Sequence, residues 1–500
     1  MSTVTLTLAL ASCGDASGDG ATAGQTTASG STVSGASTRD ATTGGSAGGA
    51  TAGPTGASDP TGGSSETGTI YDVGTPATGG ETDGCNPMGD AVLTGIVHAP
   101  NGELPISGAL VYVTQTQPTI PQTVYCSECV DLPCGTPHTF TGPDGSFTLG
   151  VPPGPHELVV RKGQFMRVTP IDAAPGDNPL TAALTDLPGH NSPQTAEYIP
   201  RVALALGDHD RLENGLAKLG LGDTVIDGFE EELAAGSEQF DVWDNSPGRD
   251  FPGAKGPFEL LLSSYELMEQ YHIIFVPCTM QAGEYPAIFD DPVARENVQN
   301  WVANGGKLYV ADWSNELLSI AFPQYQTFWQ RKDSETVAQW QDDPTADLGH
   351  YDPLGTVLDP DLEAWLDALP PALKDINPLN DPQGTQYPVV DSLPELQTVY
   401  AYSGVREVHP VLVDDGMGGQ VDVGHKVWIE GWGSETWGVP PPSEQHPLTV
   451  TGEYGCGRVL FTAYHTVEGG GYVGLTPQEL VLMYLILEIG LCQVPFNPPV

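Results

Sequence analysis

The chain has 500 residues, of which 64 are acidic and 17 basic, giving a formal net charge of -47. This balance makes nucleic acid and anionic membrane surfaces unfavourable partners, because both need a basic patch on the protein. It indicates a solubilising acidic surface, since no Asp/Asn ladder with the spacing of a calcium loop is present. The length exceeds one ordinary domain, so we expect two folded units behind a tail.

The N-terminus reads "MSTVTLTLALASCGDASGDG", an apolar stretch followed by Leu10-Ala11-Ser12-Cys13. It resembles a bacterial lipoprotein signal with its lipobox, although a basic n-region is lacking. The resemblance implies that residues 1–13 hold the signal and that Cys13 is lipidated. Gly14 stands where an inner-membrane retention signal would have Asp, which implies the outer membrane. We therefore expect a lipid to attach the protein to the membrane, not a transmembrane helix.

Residues 14–84 are nearly all Thr, Gly, Ser, Ala and Pro, with a few acidic residues. Such a segment buries too little apolar surface to offset the entropy of ordering the chain. It is therefore predicted to be a disordered tether that gives the folded part reach from the membrane.

Short strands with tight turns between them follow in residues 85–180. They read "AVLTGIVHA", "SGALVYVTQ", "GSFTLGV" and "HELVVRK", with turns at Asn101-Gly102 and Pro143-Asp144-Gly145. This alternation predicts a small β-sandwich. From Gly95 to Val160 the pattern resembles a carboxypeptidase regulatory-like domain, which implies a non-catalytic module that stiffens, spaces or binds. One departure from that pattern is the inserted segment "TVYCSECVDLPCGTPHTF".

Cysteines mark this inserted segment and its surroundings. The four concerned are Cys85, Cys126, Cys129 and Cys134. Cys-x2-Cys is a zinc-ligand spacing, but the order of the following residues does not reproduce a knuckle or ribbon. Because thiols oxidise outside the cytoplasm, we expect two disulfides among the four, with the connectivity open. Cys456 and Cys492 are expected to join the last strand to the last helix, which leaves Cys278 as a buried thiol.

Residues 195–500 alternate strands with helices. The strands read "RVALAL", "HIIFVPC", "KLYVADW", "HKVWIEGW" and "RVLFTAYH", and "FELLLSSYELMEQ" has one apolar helical face. Asp291-Pro292 opens a helix, and Thr476-Pro477-Gln478-Glu479 forms a capping box at the start of another. The pattern predicts a doubly wound, flavodoxin-like α/β domain with a mostly parallel sheet, interrupted by an insertion at about 324–415 that roofs the crevice.

The stretches "YHIIFVPCT", "VQNWVANGGKLYVADWS" and "YGCGRVLFTAYHT" resemble the class I glutamine amidotransferase-like superfamily. Catalytic members have an elbow Cys at the sixth position after the second Gly of the turn, which is Asp312 when counted from Gly306. They have a Glu two residues after the late His, which is Val467 when counted from His465, with Glu468 beside it. The resemblance therefore implies an amidotransferase-like domain in which only the histidine of the triad remains.

Cys278, Asp312 and His465 each end a predicted strand and so share the edge of the sheet where crevices form. A catalytic cysteine needs a base and an oxyanion donor, which the sequence does not identify. We favour a buried Cys278, a hydrogen-bonded structural His465 and an Asp312 that caps the helix starting at "SNELL", and commit to no catalytic residue. The spacings predict no metal site and no cofactor.

Three tryptophans, Trp428, Trp432 and Trp437, lie in "KVWIEGWGSETWGV". Exposed on one side of a crevice they would stack on sugar rings, whereas buried they would fill a core, and the sequence leaves both interpretations open. The hypothesis is a cell-envelope lipoprotein with a non-catalytic binding or scaffolding role and a carbohydrate or peptide ligand. One alternative is a hydrolase of glycans or peptides using His465 with Asp312 or Cys278, and another is a purely structural envelope component.

Overall fold

The computed structural model describes the residue ranges 89–126, 132–228, 230–279, 285–328, 350–374, 395–397, 405–414, 418–434, 445–467 and 473–489. Within them, the side chains at 286–287, 350–354, 395–397, 432–434 and 489 are not described. Residues 1–88, with the predicted lipidation site Cys13, the tether and Cys85, lie outside these ranges, as do Cys129, Cys492, Trp437 and Glu468.

The N-terminal part of the described chain consists of two β-sheets. Its strands are β1 Ala91–Ile96, β2 Leu110–Thr114, β3 His138–Phe140, β4 Ser146–Val151, β5 Gly154–Lys162, β6 Phe165–Ala173, β7 Gly176–Pro179 and β8 Glu197–Tyr198. One sheet has the order β4-β1-β7 and the other β3-β2-β5-β6-β8. A short helix, α1 Ala182–Thr185, follows.

Side-chain alternation explains how these two sheets share a core. In β4, Phe147 and Leu149 are buried while Ser146 and Thr148 are exposed. Leu93 of β1 and Val111 of β2 belong to the same hydrophobic cluster as these residues. For β4 this is the pattern expected when one face of a sheet packs on a core and the other faces water, whereas β2 is buried on both faces because Leu110 and Tyr112 belong to a second cluster. The turn at Gly145 needs glycine, since its φ is 74° and an added Cβ would lie 2.6 Å from the Val97 carbonyl oxygen.

The rest of the described chain mixes strands and helices. Its strands are β9 Val202–Ala205, β10 Thr224–Asp227, β11 Glu230–Leu233, β12 Asp241–Trp243, β13 Ile273–Val276, β14 Lys307–Ala311, β15 Gln326–Phe328, β16 His350–Val357, β17 Glu395–Gln397, β18 Val405–Val408, β19 Leu412–Asp414, β20 Gln420–Asp422, β21 Lys426–Ser434, β22 Gln445–Tyr454 and β23 Gly457–Thr462. Its helices are α2 Leu212–Leu216, α3 Phe258–Leu262, α4 Tyr265–Met268, α5 Tyr285–Phe289, α6 Pro292–Ala303, α7 Asn315–Ala321, α8 Pro360–Ala368, α9 Pro371–Lys374 and α10 Pro477–Ile489.

Nine of these strands form the main sheet, in the order β12-β9-β13-β14-β23-β22-β21-β16-β17. Strands β12, β9, β13, β14 and β23 run parallel, whereas every pairing from β23 to β17 is antiparallel. The sheet is therefore mixed, and the expectation of a mostly parallel sheet holds for one half. The antiparallel half arises because β22 and β23 form a hairpin with a tight turn, a connection that parallel strands cannot use.

Local signals predicted several helix boundaries. The side chain of Asp291 accepts a hydrogen bond from the Val293 amide at the start of α6. At the start of α10, the Thr476 amide donates to Glu479 and the Glu479 amide donates to Thr476, as a capping box requires. The single helix predicted for "FELLLSSYELMEQ" is wrong. It is divided into α3 and α4 because Ser264 adopts an extended backbone and caps α4.

The described part of the predicted insertion at about 324–415 takes part in the main sheet. Its described part contributes β16 and β17, which extend the main sheet beyond β21. An edge strand has unpaired backbone groups, and pairing with further strands satisfies them. Within the described ranges, none of the helices is both long and apolar enough to span a bilayer.

The parallel strands begin against the inserted cysteine segment of the N-terminal region. We call His272, Lys307 and Cys456, which lie at or just before the starts of β13, β14 and β23, the amino edge. The Val124 amide donates a 2.7 Å hydrogen bond to the Glu269 carbonyl, and His272 Nε2 lies 3.1 Å from the carbonyl oxygens at residues 121 and 123. Burial, and then nearby Lys307, lower the pKa of His272 to about 4, so its imidazole is neutral.

A disulfide between Cys126 and Cys456 closes this contact covalently. The expected pairing of Cys456 with Cys492 is therefore wrong, and so is the expectation that Cys126 pairs within its own region. The β22–β23 turn, which carries Cys456, packs on the inserted segment, which carries Cys126. The two sulfurs are therefore close enough to bond although the residues are far apart in sequence. Cys134 is also disulfide-bonded, with its partner outside the described residues.

Candidate functional site

Three chemically active side chains meet where β13, β14 and β23 end. Cys278 follows β13, Asp312 follows β14 directly and His465 follows β23. The three strands are adjacent and parallel, so their carboxyl ends lie at one edge of the sheet. We call these three residues the carboxyl edge. The structure thus brings together the three candidates that the sequence identified.

The three side chains are close together and buried. His465 Nε2 lies 2.9 Å from Asp312 Oδ2, and the Cys278 sulfur, a carboxylate oxygen and an imidazole nitrogen all lie within 4.8 Å of one another. Cys278 and Asp312 are 0% exposed and His465 is 3% exposed. The geometry permits proton transfer within the group, and in the part of the chain that the structure describes all three side chains are buried.

The charge state of His465 follows from these neighbours. Burial, the largest influence, would lower its pKa, because a charged imidazolium loses its hydration. Cys278 and the hydrogen-bonded Asp312 oppose burial and together raise the pKa of His465 well above its ordinary value. Below that raised pKa, His465 and Asp312 form an imidazolium–carboxylate pair.

Asp312 adopts a left-handed backbone conformation, with a φ of 47°. This is uncommon for a non-glycine residue and puts a sharp turn between β14 and the following helix, at the position the resemblance assigned to the elbow. The expectation that Asp312 caps that helix is wrong. Ser314 is the N-cap residue of α7, while the Asp312 carboxylate faces His465.

Asp210 is a second buried carboxylate, beside Asp312, and our sequence interpretation missed it. Its carboxylate accepts hydrogen bonds from the amides of Thr466, at 3.1 Å, and Val467, at 2.8 Å. Burial raises its pKa to about 6, although His465 and these two amides act in the opposite direction. The signal was available, because "DHD" follows the buried strand β9 just as Asp312 follows β14.

Further contacts fix the loops that carry the three side chains. Ser314 Oγ donates a 2.7 Å hydrogen bond to the Pro277 carbonyl, which ties the loop after β14 to the loop after β13. The Tyr309 hydroxyl contacts the hydroxyls of Thr462, at 3.0 Å, and Thr466. The carboxyl edge is therefore held in one arrangement by its surroundings.

Trp428 belongs to the core, which answers for this residue the question that the sequence left open. It is 4% exposed, and its indole N–H donates a 2.8 Å hydrogen bond to Thr451 Oγ1. The Lys426 ammonium lies 3.6 Å from the ring centroid, so the protein's own cation covers the ring. The side chains of Trp432 and Trp437 lie outside the described set.

A cavity of about 370 Å³ lies beside Trp428, between β21 and α10. Tyr484 lines it together with Trp428, and its charged lining residues are Asp359, Asp361, Asp422, Lys426, Glu453, Arg458 and Glu488. Lys426 pairs with Asp359 at 2.7 Å and Arg458 with Glu453 at 3.0 Å. The cavity is thus aromatic on one side and acidic overall, and it is separate from the carboxyl edge.

No family model matches the chain, and no curated protein matches it either. Among solved structures, similar ones include a cytoplasmic protein of Salmonella typhimurium, with 11% identity, a TM-score of 0.27 and coverage of 59% of this chain and 100% of that chain. A ThuA-like protein of Bacteroides uniformis has 9% identity, a TM-score of 0.26 and coverage of 57% and 90%. Similarity this distant carries no argument about function.

Proposed function

We propose that this protein is a non-catalytic binding or scaffolding component of the cell envelope, with a carbohydrate or peptide as its ligand. The observation that carries the proposal is the burial of the three candidate side chains that meet at the carboxyl edge. Cys278, Asp312 and His465 are 0%, 0% and 3% exposed. A nucleophile acts only if a substrate reaches it together with an oxyanion donor, and these groups contact one another instead.

The proposal includes the two resemblances seen in the sequence. The N-terminal sheets are assigned to a carboxypeptidase regulatory-like β-sandwich, and the larger region to an amidotransferase-like domain that has lost its triad. Asp312 at the elbow position supports the second assignment, because the left-handed backbone is retained while the cysteine is not. In this interpretation the domain retains the framework of an enzyme and uses it as a rigid support.

Disulfide chemistry supports a location outside the cytoplasm. Cys126 is bonded to Cys456, and Cys134 is also disulfide-bonded. Such bonds persist in oxidising compartments and are rare where glutathione keeps thiols reduced. Together with the lipobox at Cys13, this supports an outer-membrane lipoprotein.

The cavity beside Trp428 is the proposed ligand site. Its acidic residues suit the hydroxyl groups of a carbohydrate or the basic groups of a peptide, and Tyr484 lies in its lining. Calorimetric titration with oligosaccharides and basic peptides tests this assignment. Asp361→Asn should weaken binding at least severalfold; equal binding by wild type and variant would place the ligand elsewhere.

The second candidate is a hydrolase, favoured by the 2.9 Å contact between His465 and Asp312 and by the nearby Cys278 thiol. It requires that the group open to solvent during a reaction cycle.

Alkylation of the folded protein with iodoacetamide, mapped by mass spectrometry across pH, separates the two candidates. A sealed edge predicts that Cys278 stays unlabelled until the chain is denatured. Cys278→Ala serves as the matched control for background labelling, and the denatured wild type shows that the reagent is competent. Rapid labelling of Cys278 in the folded protein, below the pH at which a free thiol ionises, would replace the proposal with the hydrolase.

A further inference from the structure

The carboxyl edge offers one sulfur, one oxygen and one nitrogen donor from three separate strands. We propose that Cys278, Asp312 and His465 bind a divalent metal ion of the zinc class. Thiolate, carboxylate and imidazole are the ligands that zinc takes in proteins, and this mixed set excludes the hard ions that prefer all-oxygen sites. Sequence spacing gave no sign of such a site, because the ligands follow three strands that are distant along the chain.

The distances fit a tetrahedral ion with little movement. Zinc lies about 2.3 Å from sulfur and about 2.0–2.2 Å from nitrogen or oxygen, so neighbouring ligand atoms in a tetrahedron are roughly 3.3–3.6 Å apart. Here the three donor atoms lie within 4.8 Å of one another, and His465 Nε2 lies 2.9 Å from Asp312 Oδ2. The imidazole and the carboxylate need only separate slightly while the sulfur approaches.

Charge balance favours the ion in this setting. A thiolate and a carboxylate together carry two negative charges, which a divalent cation neutralises among buried side chains. Binding displaces the thiol proton of Cys278 and the proton between His465 and Asp312, and both leave to solvent. The buried group then carries no net charge.

Neighbouring contacts hold the ligands as an outer shell would. Asp210 accepts from the amides at 466 and 467, directly after His465. Ser314 bonds to the carbonyl before Cys278. Such contacts orient the ligands of metal sites and strengthen binding. The three side chains supply three of the four positions around a tetrahedral ion and leave the fourth to a water molecule. Because the three ligands are buried, we assign uptake of the ion to folding, which goes beyond the non-catalytic function proposed above without depending on it.

The test uses the full chain, unfolded in chelator with its disulfides intact and refolded with Zn²⁺ or Co²⁺. We expect about one equivalent of zinc by elemental mass spectrometry, and a thiolate-to-cobalt charge-transfer absorption in the cobalt form. Cys278→Ser and His465→Gln should bind roughly tenfold or more weakly. His190→Gln, at a side chain 59% exposed, is the matched control and should bind like wild type.

Wild-type protein that refolds with less than a tenth of an equivalent of metal and without the cobalt absorption would overturn the proposal, as would unchanged binding in Cys278→Ser. The wild-type cobalt spectrum decides the matter even if a variant fails to fold. Alkylation of the metal-free protein keeps the two proposals apart. If Cys278 stays unlabelled in the metal-free protein, the non-catalytic function stands even where the metal proposal fails. Rapid labelling of Cys278 in the metal-free protein would contradict the burial on which the non-catalytic function rests.

Discussion

The two ends of the parallel strands differ in what their residues contact. At the amino edge, the side chains contact another part of the chain: His272 faces backbone carbonyls of the inserted segment, and Cys456 is bonded to Cys126. At the carboxyl edge, Cys278, Asp312 and His465 contact one another. The same strands thus contact the N-terminal region at one end and carry a cluster of buried polar side chains at the other.

The difference shows that the two ends of one sheet can have different roles. The amino edge gains stability by covering strand ends with a second region and a covalent bond. The carboxyl edge collects polar groups, as parallel sheets generally do, but here closes over them. A change at the amino edge should therefore alter the free energy of unfolding, while a change at the carboxyl edge should alter the accessibility of its buried groups.

The largest effect is expected from the double variant Cys126→Ser/Cys456→Ser. The bond links residues separated by 330 positions, so removing it releases a long loop in the unfolded chain and should lower the free energy of unfolding by about 4 kcal/mol. Urea denaturation followed by fluorescence measures it. His190→Gln, at an exposed side chain, leaves every disulfide intact and is the comparison. Similar stability of the double variant and wild type would show that the two regions stay docked without the bond.

A smaller effect is expected from Gly207→Ala at the carboxyl edge. An added Cβ would lie 2.5 Å from the Asp210 carbonyl oxygen and 2.8 Å from that of Cys278, so the loops must move apart. Overpacking of this kind costs about 1–3 kcal/mol. We expect Cys278 to become alkylated in the folded variant, unlike wild type. The control is Gly253→Ala, at a glycine that has open space around it and a φ of 88°. If Cys278 stays protected from alkylation in Gly207→Ala, the close packing of these loops is contradicted.

The smallest effect is a gain in stability from Lys307→Met at the amino edge. Burial first, then Arg458 and Arg161, lower the pKa of Lys307 to about 7, below its value in the unfolded chain. The folded state thus binds this proton less readily, so wild-type stability should rise as pH rises from about 7 to 10. The variant should lose that slope and gain on the order of 1 kcal/mol at pH 7. Denaturation midpoints at pH 7 and 9 measure the slope and the gain in stability, and Lys255→Met, at a half-exposed lysine, is the control. If Lys307→Met keeps the wild-type dependence of stability on pH, another group is responsible for that dependence.

Local features of the sequence predicted much of the fold. The alternation in β4, the Asp291 cap and the Thr476 capping box each depend on residues within a few positions of one another. A short stretch of sequence is therefore enough to predict them. Counting from Gly306 placed Asp312 at the sharp turn after β14, because a strand of fixed length separates the two.

Contacts between distant segments were not predictable in the same way. The pairing of Cys126 with Cys456 depends on how two regions pack against each other. The spacing of cysteines along the sequence does not predict that packing. Asp210 was missed because its role becomes visible only when the loop after β9 meets the loop after β23. Trp428 could face a sugar or a core on sequence grounds, since burial depends on which element covers it.

The bond between Cys126 and Cys456 also sets an order of events in biosynthesis. The ribosome produces Cys126 long before Cys456, so Cys126 can form this bond only after the 330 residues that follow it have been made. During that interval Cys129 and Cys134 are nearer competitors for oxidation. Any early, short-range pairing of Cys126 has to be undone by thiol–disulfide exchange before its bond with Cys456 can form.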